Sequence, residues 1–239
     1  MKHNSQDYLL TIWELFESFE NANEKEVAER LEISLPSAWE GIHRLEKERQ
    51  LIVKKKGLQF TNEGFLNAMK MVRAHRITEY FVYSFLEVPW DQVHYSVMDL
   101  EHDFTENLLA NLYRKMRSPG YCPHGNPVEP IQKMTEIRAS EAPEGKYYFV
   151  RPVLEEYTFL KKLLNVGATP GRPVGIEKAE GSLYLVGENG EFKLPSSMEK
   201  TIRIRPKPNT SRKLSRVIKV PVSAPIVMSF PQNHNESHT

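Results

Sequence analysis

The sequence predicts an α+β fold with several domains: a winged helix-turn-helix, then an all-α domain, then a small β-barrel. Three observations lead to this prediction. Apolar residues recur at helical spacing between Tyr8 and Leu112, except in one short alternating stretch at residues 51–61. From Tyr147 to Arg205 the pattern changes to short alternating stretches punctuated by glycine. The length of 239 residues is enough for two or three small domains.

Composition and charge exclude several classes of protein. The single cysteine, Cys122, rules out an internal disulfide and fits a reducing cytoplasm, where we expect the protein to be located. No secretory signal and no apolar run of membrane-spanning length are present, so we expect neither secretion nor a membrane partner. The net charge is only +1, but seven basic residues and no acidic one lie between Arg203 and Lys219. Local charge is therefore the better guide to nucleic-acid binding.

The first predicted helix carries a candidate ligand near its start. Five apolar residues between Tyr8 and Phe19 follow the spacing of an amphipathic helix, and Asp7 falls in its first turn. A carboxylate there is either a partner of the free backbone N–H groups or a hard oxygen ligand. Spacing alone favours the first interpretation.

Residues 24–47 predict a helix-turn-helix. A short helix over residues 24–31 is followed by a tight break, and Ser34 is the expected N-cap of a second helix. Residues 51–61 continue as two short strands around a basic turn, which adds the wing of a winged helix-turn-helix. For the helices alone, a structural helical hairpin is the alternative, but the basic wing favours DNA binding. The candidate DNA-binding residues lie on the exposed side of the second helix and on the wing: Ser34, Pro36, Ser37, Glu40, His43, Arg44, Lys47, Lys54, Lys55 and Lys56.

The helical region after the wing carries two faces of metal-ligating groups. Thr61 is the expected N-cap of a long helix that ends before Pro89, and a further helix is predicted to run through Leu112. On each helix, imidazole, carboxylate or thioether groups project into one sector, which is typical of a metal site. A helix-surface contact or a satisfied histidine is the alternative for either face alone. The candidate residues are His75 and Glu79 on the long helix, and His94, Met98, Glu101 and His102 on the next.

The C-terminal half of the chain has a different character. Residues 118–146 contain several prolines and glycines and predict a connector. Short strands and one helix, at about Glu155 to Leu164, then predict a small β-barrel.

In the helical region, apolar residues in excess of one helix face predict a helix-mediated dimer. The predicted domains are a winged helix-turn-helix at 1–63, a helical metal-binding and dimerisation domain at 64–140, a barrel at 141–206 and a mobile basic tail at 207–239.

The order of these parts resembles the diphtheria toxin repressor and manganese transport regulator family of metal-dependent repressors, over roughly residues 5–205. The segments that carry the resemblance are QDYLLTIWEL, EVAERLEIS, HRITE, LEH and CPHGNP, and FLKKLLNVGATPGRPV looks like the FeoA-type, SH3-like domain of longer members. The resemblance implies that Asp7 is a ligand, against the preference from spacing. It implies a primary metal site at Asp7, Met98, Glu101 and His102, and an ancillary site at His75, Glu79 and His94, with Glu156 as a candidate further ligand.

The resemblance implies a dimeric transcriptional repressor, not an enzyme, that binds a double-stranded DNA operator when Mn²⁺ or Fe²⁺ is bound. One dimer or two dimers on each operator are both compatible with it. Leu10, Met98 and Phe159 depart from the ligands typical of the family, so the metal is not fixed, and the affinity order also admits Zn²⁺ or Co²⁺ in vitro. A metal-independent winged-helix protein with structural His/Glu clusters is one alternative. A metal hydrolase is a less favoured one, because no nucleophile or base motif accompanies the ligands.

Overall fold

The computed structural model describes residues 3–98, 100–131 and 134–206. The predicted tail at 207–239 lies outside these residues. The described chain has the predicted α+β class, with helical units followed by an antiparallel sheet unit. Among the described residues, no helix has both the length and the apolarity that a membrane span needs.

The N-terminal unit is a winged helix-turn-helix, as the sequence predicts. It consists of α1 (Ser5–Phe19), α2 (Glu24–Arg30), α3 (Leu35–Lys47) and an antiparallel hairpin of β1 (Leu51–Lys54) and β2 (Gly57–Phe60). Each helix starts at a side-chain cap: the side chains of Asn4, Asn23 and Ser34 accept backbone N–H groups at the starts of α1, α2 and α3. Because these caps are local, both helix starts in the helix-turn-helix could be read from the sequence.

A close contact between Tyr8 and Gly41 fixes α1 across α3. A Cβ built on Gly41 would lie 2.2 Å from the Tyr8 ring, so the helix interior needs glycine there. The Tyr8 hydroxyl donates to the Ser37 carbonyl oxygen at 3.1 Å. Trp13 and Ile42, both fully buried, belong to the same core. These contacts therefore pack α1 tightly against α3, the second helix of the helix-turn-helix.

The middle unit is helical but more broken than predicted. The long helix α4 (Asn62–Leu86) is capped by Thr61, as expected, and is followed by a 3₁₀ turn (Trp90–Gln92), α5 (Val93–Val97), a second 3₁₀ turn (Leu100–Asp103) and α6 (Glu106–Lys115). The prediction of one helix from the His94 region through Leu112 is therefore wrong. Thr105 accepts the Leu108 N–H and starts a new helix at that point. As a result, His94 and His102 do not share a helix face.

The C-terminal unit is a six-stranded antiparallel sheet with one helix. Its elements are β3 (Ile137–Arg138), β4 (Gly145–Pro152), α7 (Tyr157–Asn165), β5 (Pro173–Ala179), β6 (Ser182–Gly187), β7 (Gly190–Lys193) and β8 (Ile202–Pro206). The strand order is β3-β8-β4-β5-β6-β7. Phe149, Leu160 and Ile204 are fully buried in its core. β3 pairs with β8 although it precedes the predicted boundary at residue 141, and that boundary stays a prediction.

The predicted connector contains a tight, buried loop. The Gly125 N–H donates to the Cys122 carbonyl oxygen, and the Cys122 N–H donates to that of Asn126, both at 2.9 Å. Gly125 has φ +90°, and a Cβ there would lie 2.3 Å from the Val150 carbonyl oxygen. Only glycine fits this turn, which packs against β4 and buries Cys122, His124 and Asn126. The loop thus carries polar side chains into the interior between the helical unit and the sheet.

Candidate metal centres and nucleic-acid interface

The first group of potential ligands, here called the Asp7 cluster, contains Asp7, Glu101 and His102. His102 Nε2 lies 2.8 Å from Asp7 Oδ1. On its other side, His102 Nδ1 lies 2.6 Å from Gln6 Oε1, an amide oxygen that can accept a hydrogen bond from it. A histidine whose other ring nitrogen donates in this way is oriented as metal-ligating histidines are.

The two oxygens of Asp7 have different partners. Asp7 Oδ2 accepts the Asn4 N–H at 2.8 Å and completes the capping box of α1, while Oδ1 faces His102. The contact with the Asn4 N–H agrees with the first interpretation considered from the sequence, while the role of Asp7 as a metal ligand stays a prediction. Glu101 is also buried: its Oε2 contacts His75 Nδ1, and its Oε1 has no hydrogen-bond partner among the described residues. An orphaned buried carboxylate oxygen suits a cation.

The second group, here called the Glu79 cluster, lies deeper. It consists of two overlapping sets of four buried residues that share Glu79 and Glu155: one set adds His75 and His94, and the other adds Cys122 and His124. His75 Nε2 lies 3.1 Å from His94 Nδ1 and 3.3 Å from Glu79 Oε1. His94 Nδ1 lies 3.2 Å from Glu155 Oε2. These atoms come from α4, α5 and the segment after β4, so the cluster exists only in the folded chain.

The loop residues complete the Glu79 cluster from the other side. His124 Nε2–H donates to the Trp90 carbonyl oxygen at 2.8 Å, so His124 Nδ1 is turned inward. That atom lies 3.0 Å from Glu155 Oε2 and 3.2 Å from Glu79 Oε1. Glu79 Oε2 has no hydrogen-bond partner among the described residues. Imidazole, carboxylate and thiol groups together form a donor set that fits a divalent transition metal.

Electrostatics in the Glu79 cluster also favour a dication. Burial lowers the pKa of His75, but the Glu101 and Glu79 carboxylates outweigh it and hold that pKa well above its usual range. The pKa of His124 is raised in the same way against burial, by Glu155 and Glu79. Burial raises the pKa of the Cys122 thiol to about 12. Protons held between buried carboxylates occupy the kind of place that a metal takes when it displaces them.

The candidate DNA-binding surface is the exposed side of α3 and the wing. Nine of the ten predicted residues are exposed: Ser34, Pro36, Ser37, Glu40, Arg44, Lys47, Lys54, Lys55 and Lys56. His43 differs, because it is half-buried. Its ring packs at a tilt against Trp39, with 4.2 Å between ring centroids, and its Nδ1 lies 2.9 Å from Glu46 Oε2. Five of the nine exposed side chains are basic, which provides the phosphate-facing charge that DNA binding requires.

Models of two protein-family domains match the chain. Residues 1–58 match the iron-dependent repressor N-terminal DNA-binding domain, and residues 61–130 match the iron-dependent repressor metal-binding and dimerisation domain. Together these matches cover more than half of the 239 residues. The chain belongs to the iron-dependent repressor family. It is a metal-responsive, DNA-binding transcriptional repressor, and neither the metal-independent alternative nor the hydrolase alternative is favoured.

Individual relatives agree with the family match. The chain is 24% identical over 217 residues to the iron-dependent repressor IdeR of Mycobacterium leprae, with 82% of this chain and 94% of the relative covered. It is 25% identical over 226 residues to the diphtheria toxin repressor of Corynebacterium jeikeium, with the same coverage. Its fold is similar to the solved structures of T. acidophilum IdeR and the manganese regulator SloR. Each has a TM-score of 0.75, with 87% of this chain and 100% of the other chain covered, at 22% and 24% identity.

In this repressor, most of the predicted ligands come together. Asp7, Glu101 and His102 meet in one cluster, and His75, Glu79 and His94 meet in the other. Met98 directly follows α5 and is half-buried, and its role as a ligand stays a prediction.

Glu156 does not lie where the resemblance suggested. It is the residue before α7, and its carboxylate accepts the Thr158 hydroxyl. Its neighbour Glu155 reaches the Glu79 cluster instead, because consecutive side chains in extended backbone point in opposite directions. A shift of one residue therefore decides which carboxylate is a candidate ligand.

Sequence reasoning did not select Cys122, His124 or Glu155 as site residues. Cys122 and His124 lie in the stretch interpreted as a connector. The signal that could have identified them is the segment CPHGNP, in which a cysteine and a histidine, both metal-ligating types, are two positions apart in a stretch with two prolines and a glycine. Glu155 carries no such local signal, because only the packing of the sheet against α4 brings it to Glu79.

Proposed function

We propose that this repressor binds its operator when Mn²⁺ or Fe²⁺ is held by the Asp7 cluster and the Glu79 cluster. The observation that supports this most strongly is the 2.8 Å approach of His102 Nε2 to Asp7 Oδ1. It connects the first helix of the DNA-binding unit with the 3₁₀ turn at Leu100–Asp103. A bound metal would supply a fixed link between these ligands. Asp7 then holds α1, and α1 positions α3 through Tyr8 and Gly41.

The Asp7 cluster must supply a sizeable difference in free energy between the two states of the protein. To change the DNA-competent pose from a 1:99 to a 99:1 population, the ligands must favour that pose by about 5.5 kcal/mol when metal is bound. Ligands on two elements that move relative to each other can supply such a difference. By linkage, DNA must tighten metal binding by the same factor as metal tightens DNA binding.

The choice of metal follows from the donor atoms. Carboxylate oxygens dominate the Asp7 cluster, which suits hard or borderline ions such as Mn²⁺ and Fe²⁺. The imidazoles and the thiol of the Glu79 cluster also accept Zn²⁺ or Co²⁺, which we expect to bind in vitro. Relatives point the same way: they include iron-dependent repressors and a manganese regulator, and ScaR has been solved with Zn²⁺ and with Cd²⁺.

We propose that the active form is a homodimer in the cytoplasm on a double-stranded DNA operator, with one dimer or two dimers bound. Phe85 and Leu86 at the end of α4 are more than half exposed, and Leu108 on α6 is similarly exposed. Such an apolar surface fits the matched dimerisation domain. A two-fold dimer would present two α3 helices to successive major-groove faces.

The test uses a duplex selected by the wild-type protein from randomised DNA in the presence of Mn²⁺. We expect Mn²⁺ to increase the affinity for this duplex, measured by fluorescence anisotropy, and His102→Ala to abolish the increase while the dimer persists. Asp103→Asn is the matched control, because Asp103 is an exposed carboxylate beside the cluster. Undiminished activation of His102→Ala by Mn²⁺ would show that the Asp7 cluster is not the switch.

A further inference from the structure

Glu17, at the far end of α1 from Asp7, lies at the centre of a buried ionic network. Its Oε2 accepts from Arg76 Nη2 of α4 at 3.0 Å, and its Oε1 accepts from Arg151 Nη1 of β4. Its backbone carbonyl oxygen accepts from Arg203 Nη2 of β8 at 2.6 Å. The network therefore joins the DNA-binding unit to both of the other units.

Arg151 holds this network together. It is 1% exposed, and its Nε and Nη2 donate to the Glu136 carboxylate at 3.0 and 2.7 Å. Its Nη1 is shared between Glu17 and Asn126 Oδ1, the latter at 2.6 Å. The amide nitrogen of Asn126 donates in turn to Glu155 of the Glu79 cluster. One guanidinium group of the sheet thus contacts α1 directly and lies one amide away from a candidate metal ligand.

The charges in this network are fixed. Burial would raise the pKa of Glu17, but Arg151 and Arg76 lower it to about 2, so the carboxylate remains ionised near neutral pH. Buried ion pairs contribute little net stability compared with apolar packing, but they can impose one geometry. Arginine is suited to this, because its planar group donates in fixed directions. The network is therefore better explained by positioning than by stability alone.

We propose that Arg151 is a positioning residue for DNA binding: from the sheet it holds the Glu17 end of α1 in the pose that the Asp7 cluster selects at the other end. This inference rests on the proposed function. Asp7 and Glu17 are ten residues apart on α1, which is about 15 Å along the helix axis, so the two contacts act at separate places. The C-terminal unit thereby takes part in the switch through α1.

If the Asp7 cluster and Arg151 stabilise the same orientation of α1, removing Arg151 should change DNA affinity and metal response in a characteristic way. Without Arg151, the metal-free protein shifts towards other poses of α1, and metal binding must overcome that shift. DNA affinity should therefore fall more in the absence of metal than at saturating metal, and more metal should be needed for half-activation. A loss of folded protein lowers both affinities equally and leaves the half-activating concentration unchanged.

The experiment compares Arg151→Met, Glu17→Gln and the double variant with wild type, on the duplex selected with Mn²⁺. Anisotropy is measured with a chelator and across a Mn²⁺ titration, and folding is checked by thermal unfolding and gel filtration. We expect the half-activating Mn²⁺ concentration to rise about tenfold in Arg151→Met. The double variant should show a rise smaller than the two single effects combined, because both changes remove the same Glu17–Arg151 contact. Arg172→Met, which alters an exposed pair with Glu188 in the same unit, should behave as wild type.

Two results would overturn the proposal. One is an unchanged half-activating concentration in folded Arg151→Met; the other is an equal loss of affinity with and without metal. Glu17→Gln decides the matter if Arg151→Met does not fold, because it keeps the side-chain shape and removes only the charge. A wild-type protein whose DNA binding ignores Mn²⁺ would instead refute the proposed function, so the two failures are distinguishable.

Discussion

Asp7 shows how one side chain can serve both a helix and a metal site. Because Oδ2 caps α1 and Oδ1 faces His102, contacts within the protein hold the carboxylate in place. A carboxylate whose orientation is already fixed loses little conformational freedom when it binds a metal. The position of Asp7 in the first turn of α1 is thus part of its suitability as a ligand.

Substitutions at Asp7 and Asn4 should separate these two roles. We expect Asp7→Ala and Asn4→Ala each to lower the free energy of unfolding by about 1 kcal/mol, because each breaks the capping box. Only Asp7→Ala should also weaken Mn²⁺ binding, since Asn4 contributes no atom to the Asp7 cluster. Thermal unfolding and calorimetric Mn²⁺ titration measure the two effects. Equal Mn²⁺ affinities in the two variants would remove Asp7 from the ligand set.

The neighbours Glu155 and Glu156 allow a test of the Glu79 cluster at one-residue resolution. We expect Glu155→Gln to weaken metal binding at this cluster by at least about tenfold, because it replaces a buried carboxylate that contacts two histidines. Glu156→Gln should leave binding unchanged, because that side chain contacts Thr158. Calorimetry with Zn²⁺ or Mn²⁺ would distinguish the two. The opposite ranking would restore Glu156 as the ligand.

At the scale of the elements, the sequence predicted those whose signals are local. Thr61 and Pro89 bracket α4, and Ser34 marks the start of α3, because capping and proline geometry act within a few residues. The prediction of one helix through Leu112 was wrong although the Thr105 cap is an equally local signal. The apolar spacing continues across the break before Thr105, so the spacing alone did not show where one helix ends and the next begins.

The wing is an element whose contribution to DNA binding should be uniform. Lys55 and Lys56 are exposed at its tip, and lysines on such a hairpin contact phosphates rather than bases. We expect Lys55→Ala with Lys56→Ala to weaken binding to all sequences alike and to reduce the log–log salt slope by about 0.9 per lost phosphate contact. Binding to the selected duplex and to an unrelated duplex at several salt concentrations measures this. A change in sequence preference with no change in slope would contradict it.

At the scale of the whole molecule, the sites depend on contacts that no local pattern encodes. Glu79, His124 and Glu155 lie on α4, on the buried loop and after β4, and they meet only because the sheet packs against the helices. The resemblance to a repressor family placed the predicted ligands on α1, on α4 and around α5. It named Glu156 in the sheet unit, but the structure brings its neighbour Glu155 to His94 and His124. Burial of Glu17, Arg151 and Arg203 was likewise not predictable, because charged residues in a sequence usually indicate surface.

The Glu17 network should make stability depend on acid in a predictable direction. The pKa of Glu17 is lowered from 4.5 to about 2, so its contribution to stability is fully present above pH 4.5 and is lost as the pH falls through about 2. We expect Glu17→Gln to be less stable than wild type at pH 7 and the difference to shrink towards pH 2. Urea unfolding between pH 2 and pH 7 measures it. A difference that stays constant over this range would show that the charge of Glu17 does not contribute.

The most direct test of metal-controlled DNA binding is the Mn²⁺ affinity of the wild-type dimer, measured free and bound to its selected duplex. Linkage requires that the duplex tighten Mn²⁺ binding by the same factor as Mn²⁺ tightens duplex binding. We expect both factors to be equal, and to be at least about fivefold, in the wild type. Both should disappear in His102→Ala, because the link between α1 and the turn at Leu100–Asp103 is lost. A wild-type Mn²⁺ affinity that is the same with and without the duplex would contradict metal-controlled DNA binding.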